Sequence, residues 1–188
     1  MPKDTKSALL DFAEHAARAH GWDGFSYADL ADAVGIRKAS VHYHFPTKSH
    51  LSVALMERYT SEMQSTCHTI DQSCKTAAQK LEAIIDHYRK ALNSGQTVCL
   101  CVSFSVSRES LSDEVIARIE VFREMMIDWL TSVFDLGKAD HSISRANDAK
   151  REALATLAIL EGAHLAARTS CDVARFDGAV EIIEHRCT

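Results

Sequence analysis

Apolar positions recur at helical spacing along nearly the whole chain. Leu9, Phe12, Ala13 and Ala16 form a first stripe that Gly21 closes. Ser26 is placed to cap a short helix running to Val34, and Gly35 to end it. A third short helix is predicted over 38–44. Pro46 falls in the first turn of a fourth, where its missing N–H costs nothing, and Thr47 to about Cys67 continues it. A fifth is predicted from about Lys75 to Asn93, stopped by Ser94 and Gly95, and a sixth over about 98–108. Ser112, followed by Asp113 and Glu114, opens a seventh. From there Val115, Ile119, Phe122, Met126, Trp129 and Val133 step 4-3-4-3-4 along one face. Residues 136–146 read as a loop. A long helix then runs to about Ser170, and a last one covers about 176–186. No strand alternation, internal repeat or low-complexity segment interrupts this. The pattern predicts an all-α protein of about nine helices, a three-helix head (1–50) on a larger helical body (51–188).

Composition adds a limit and a contrast. The chain has 188 residues, 46% of them hydrophobic, enough for a sizeable core. Seven glycines and two prolines suit a helical protein. The net charge of -5 excludes a globally polybasic surface. Locally the picture reverses. Residues 1–50 hold six basic and six acidic side chains, and every acid lies before residue 33. From Gly35 to His50 only positive charge and histidine remain, which suits an anion-binding surface. No apolar run approaches the ~18 residues of a membrane span. With no signal-peptide core at the start, the expected location is cytoplasmic. The six cysteines are then expected to be reduced thiols, and no CxxC pair suggests zinc.

Residues 26–45 have helix-turn-helix spacing. The small Ala31 lets two helices cross closely. Gly35, four later, permits the positive φ of a tight turn. Val41, six later, packs back onto Leu30, Val34 and Ile36. In such a motif the second helix enters the major groove of DNA. A metal at His42-x-His44-x5-His50 is the rival reading. Residues i and i+2 leave a helix on roughly opposite sides, so this spacing argues against it. No metal and no cofactor is expected.

The stretch "GFSYADLADAVGIRKASVHYHFPTKSHL", residues 24–51, resembles the TetR/AcrR family of bacterial transcriptional regulators. The resemblance implies an N-terminal DNA-binding head and a body that binds an effector and dimerises. It implies that Ser26 holds a phosphate at the start of the second helix. Arg37, Lys38, Ala39 and Ser40 would face base edges, and Tyr43 and His44 the backbone or groove wall. Lys48 would hold a phosphate at the start of the fourth helix. His42 is counted with these DNA-facing residues although the family most often has tyrosine there. Arg37 replaces a common Ser or Thr cap, exchanging a cap for a charge.

The helix over about 147–170 is apolar almost all round. Burial within one chain would satisfy it. The resemblance points instead to a homodimer interface of Leu154, Leu157, Ala158, Gly162, Leu165, Phe176, Val180 and Ile183. A pocket would be lined by Tyr88, Leu92, Cys99, Phe104, Met125, Met126, Trp129 and His164. All of these also read as ordinary core, and the effector's identity does not follow from them. Cys99 and Cys101 fall near a predicted helix start, where a thiol pKa can drop. Some relatives respond to electrophiles or oxidants through a cysteine in a similar place.

The leading expectation is a DNA-binding regulator, a repressor released from a near-palindromic operator by a small molecule. One alternative is a redox-sensing regulator acting through Cys99 or Cys101. Another is an architectural DNA-binding or partner-binding protein. A helical enzyme using Cys99 as nucleophile lacks a partner at recognisable spacing and a Gly-rich oxyanion loop. No enzyme activity is expected.

Overall fold

The computed structural model describes residues 4–144 and 148–187. Among them are nine α-helices and no strand, as expected. They are α1 Thr5–His20, α2 Tyr27–Val34, α3 Lys38–His44, α4 Lys48–Ser73 and α5 Ala77–Ala91, then α6 Leu100–Val106, α7 Asp113–Asp140, α8 Ala149–Ser170 and α9 Ala174–Glu184. Two compact units form. One holds the chain up to Ser61 together with Leu100–Glu120, and the other holds Glu62–Cys99 and the chain from Val121 onward.

In the first unit, α1 packs against α2 and α6, and α2 against α3. The buried row of α1 is Leu9, Leu10, Ala13 and Ala17, while Phe12 is turned outward. Ser26 starts α2 with a capping box: its Oγ accepts from the amides of Ala28 and Asp29, and the Asp29 carboxylate accepts from the Ser26 N–H at 2.7 Å. Gly35 ends α2 at φ 74°, and the Ile36 N–H returns to the Ala31 carbonyl at 2.9 Å. Val41 and Phe45 are buried and anchor α3. Pro46 lies just outside α4, not in its first turn. Thr47 caps α4 instead, its hydroxyl accepting from the His50 N–H.

The segment 100–120 completes this unit. Ser103 Oγ donates to the Ala17 carbonyl at 2.6 Å, where α1 ends. Phe104 meets the edge of Trp22 at 4.8 Å. Ser112 is hydrogen bonded to Ser49, and Arg118 pairs with Glu57.

In the second unit α8 and α9 form a hairpin, and α9 also packs on α5. Thr76 and Gln79 make the capping box of α5. Asp140 and Ser142 add acceptors to its first amides, Ala77 at 2.8 Å and Ala78 at 3.0 Å. Expectation and structure part at 136–140. These residues extend α7 rather than opening a loop. At Gly137 a Cβ would lie 2.8 Å from Ile143 Cδ1, so the bare backbone seats that side chain. The return between α8 and α9 turns on Cys171 at φ 48°. Gly95, at φ 80°, lies against that turn, and a Cβ on it would approach the Cys171 carbonyl carbon to 3.0 Å.

Candidate nucleic-acid interface

α3 has one side buried through Val41. Arg37, Lys38, Ala39, His42 and Tyr43 stand exposed, with Ser40 and His44 half-buried. Tyr43 is 83% exposed, its ring edge-on to His44 at 5.3 Å. An 83% exposed tyrosine adds nothing to a core, so its face is available to a partner. Arg37 occupies the N-cap of α3 without a capping side-chain bond, as its replacement of Ser or Thr implies. Five of the expected base- and backbone-facing residues are therefore presented together on one short helix and its cap.

Ser26 and Lys48 are both engaged within the chain. The N–H and hydroxyl of Ser26 both donate to Asp29 Oδ2, so in the free protein neither proton is directed at an outside anion. The Lys48 ammonium donates to the carbonyls of Trp22 at 2.7 Å and Phe25 at 2.9 Å. It also lies over both rings, 4.7 and 4.6 Å from their centroids. Burial pushes this ammonium below the usual lysine range, with Asp23 opposing. Lys48 thus ties the start of α4 to the turn that leads into α2.

A recess of about 330 Å³ opens beside these groups, lined by Phe25, Ser26, Tyr27, Lys38, His42, Thr47 and Lys48. Sequence reasoning missed Tyr27. It is 7% exposed, and its hydroxyl has no hydrogen-bond partner among the described residues. Burial raises its pKa to about 12, which keeps it a neutral donor. Nothing local in the sequence marks it, because orphan status depends on what α3 brings near.

In the second unit His164 is fully buried. Its Nδ1 accepts from the Cys99 N–H at 2.9 Å, which fixes the tautomer, so Nε2 donates to the Tyr88 carbonyl at 2.9 Å. Tyr88 and Phe176 meet its ring at 5.4 and 5.5 Å. Of the expected pocket residues, the structure joins Tyr88, Cys99 and His164. Phe104 packs on Trp22 in the first unit. Leu92 and Met126 are buried, Met125 is half-buried, and the indole of half-buried Trp129 donates to Asp71 at 3.0 Å.

The expected interface residues divide by burial. Leu157, Phe176, Val180 and Ile183 are buried within the single chain. Leu154, Ala158, Gly162 and Leu165 point outward from α8 at spacings of four, four and three. Leu154 is 47% and Leu165 44% exposed, Ile182 on α9 is 58% exposed, and open space lies beside Gly162. The cysteines also differ in burial. Cys99 and Cys101 are buried, whereas Cys171 is exposed and Cys74 half-buried. Cys67 is pushed up to about 12 by burial, with Asp71 adding to it.

Residues 9–55 match the model of "Bacterial regulatory proteins, tetR family". No curated protein matches the chain in sequence. Among solved structures, a TetR family transcriptional regulator from Agrobacterium tumefaciens is 28% identical, with a TM-score of 0.92 over 98% of this chain and 97% of that one. A TetR transcriptional regulator from Legionella pneumophila is 27% identical, with a TM-score of 0.90 over 100% of both chains. The reduced form of E. coli NemR, 21% identical over 99% of this chain and 98% of that one at a TM-score of 0.83, shares the fold. The helix-turn-helix geometry, the family match over it and this likeness along the whole length agree, and the chain belongs to the TetR family of bacterial DNA-binding transcriptional regulators.

Proposed function

We propose that the protein acts in the cytoplasm as a homodimeric repressor, released from a near-palindromic operator by a small-molecule effector. The observation that carries this is the exposed face of α3, basic and aromatic, within a stretch free of acids from Gly35 to His50. Residues 1–50 supply the DNA contacts through Arg37, Lys38, Ala39, Ser40, His42, Tyr43 and His44. Ser26 and Lys48 serve that surface from within. Residues 51–188 supply effector binding and dimerisation. The outward row Leu154, Ala158, Gly162 and Leu165 supports pairing, because an apolar helix face with close-approach positions suits a second helix. Two heads would then address two segments of major groove. Release would follow from linkage: an effector that prefers a conformation mis-spaced for two grooves weakens DNA binding by that preference. The region of Tyr88, Cys99 and His164 is the proposed effector site, with Met125, Met126 and Trp129 as further candidates.

The test is selection of bound sequences from random duplex, repeated with a panel of metabolites. Enrichment of one short palindrome, lost with one compound, supports the reading. Broad coverage without enrichment would indicate an architectural protein. Repression itself is read from a reporter placed behind the selected site.

A further inference from the structure

Resting on the DNA-binding reading, we infer that His42 couples the grip on a backbone phosphate to the uptake of one proton per head. His42 Nδ1 lies 3.3 Å from the Pro46 carbonyl. A carbonyl only accepts, so Nδ1 carries the hydrogen. In the neutral ring Nε2 is then a bare lone pair. A phosphate oxygen also only accepts, so a neutral His42 turns lone pair against lone pair. The imidazolium donates at both ends: Pro46 keeps its bond and the phosphate gains one.

The surroundings favour that change when an anion arrives. The His42 ring lies against Tyr27, centroids 4.8 Å apart and planes inclined by 60°. Around the recess α3 contributes Lys38, α4 contributes Lys48, and α2 contributes Tyr27 and Asp29, with Asp23 in the preceding turn. Asp29 is committed to Ser26, and Lys48 to two carbonyls, with Asp23 acting on it. His50 is bonded to Thr47 at 2.7 Å, and His44 stands against Tyr43. An entering phosphate therefore meets the cation of Lys38 and the ring of His42. A phosphate favours the form of the ring that donates at both ends.

The sign is fixed by linkage. The bound form holds the proton more tightly, so affinity is greatest on the acid side and falls as pH rises through the range where histidines titrate, by up to about tenfold per unit per head. The experiment uses the full chain and a duplex obtained by selection. Affinity is measured at constant ionic strength from about pH 5.5 to 8.5, the range of imidazole titration. Calorimetry in buffers of different ionisation heat counts protons taken up. Wild type should lose affinity several-fold per unit from about pH 6 to 8 and take up protons on binding. His42→Tyr should bind with no pH slope and no uptake, and His42→Lys, a permanent cation, should bind tightly across the range. His50→Gln should keep the wild-type slope. A flat wild-type profile without proton uptake overturns the inference, as does a slope that survives in His42→Tyr. Absence of any selected duplex at any pH or salt overturns the DNA-binding reading itself, and this inference with it.

Discussion

The ammonium of Lys48 is hydrogen bonded to the backbone carbonyl of Trp22 at 2.7 Å while lying 4.7 Å from the centre of the same residue's ring. One side chain therefore fixes both the main chain and the indole of a residue 26 positions earlier. The same ammonium repeats the arrangement on Phe25, so the turn before α2 is clamped from α4.

Lys48→Met should consequently lower stability rather than alter electrostatics at DNA. Loss of two charged hydrogen bonds costs about 2–3 kcal/mol. Thermal unfolding measures this. The slope of log affinity against log salt should stay as in wild type, because no phosphate contact is lost. Lys38→Ala should do the reverse, leaving the melting temperature near wild type and shrinking that slope by about 0.9.

The thiols should react in order of exposure. A small alkylating agent should modify Cys171 first and Cys74 next, with Cys67, Cys99 and Cys101 slow at neutral pH. Cys67 should label readily only in strong alkali, since its thiolate forms at about 12. Mass spectrometry after brief exposure reads the order. Labelling of Cys99 at the rate of Cys171 would restore an electrophile-sensing role.

Leu165→Glu changes an exposed position, so the helical spectrum should remain that of wild type. If α8 forms the dimer face, sedimentation at micromolar concentration should show a monomer. Gly162→Leu should act in the same direction, because a bulky side chain holds two helices apart at a typical cost of ~1–3 kcal/mol. A wild-type chain that sediments as a monomer would remove the dimer altogether.

Gly95→Ala should be damaging although it adds a single methyl group. The residue needs a positive φ, and the new Cβ would lie about 3 Å from backbone atoms of Cys171 and Asp172. A loss of roughly 1–3 kcal/mol is expected, visible as a lowered melting temperature.

Where backbone chemistry is local, the sequence was a close guide. Ser26 and Gly35 each solve a problem at a helix end, and they bounded α2 to within a residue. The expected loop at 136–146 began too early: residues 136–140 continue α7, and the role of Gly137 depends on Ile143, which folding brings there. The face of α8 was illegible for a similar reason. Its residues are apolar all round, and only the seat of α9 decides that Leu157 turns in and Leu154 out. Lys48 shows what the sequence leaves out at the site. The family resemblance implied a phosphate contact, and only the fold reveals that two carbonyls more than 20 residues away accept its hydrogen bonds in the free chain.

Ser103 and Phe104 are far from α1 in sequence, yet they close the end of α1 and the edge of Trp22. This bears on building chimaeras. A graft that transplants residues 1–61 alone onto a related body would leave the Ala17 carbonyl and the Trp22 ring to be met by foreign residues. A transplant that carries 100–120 along with 1–61 moves the folding unit intact. Operator specificity should therefore be exchanged between relatives more cleanly with the discontinuous cassette than with the N-terminal segment.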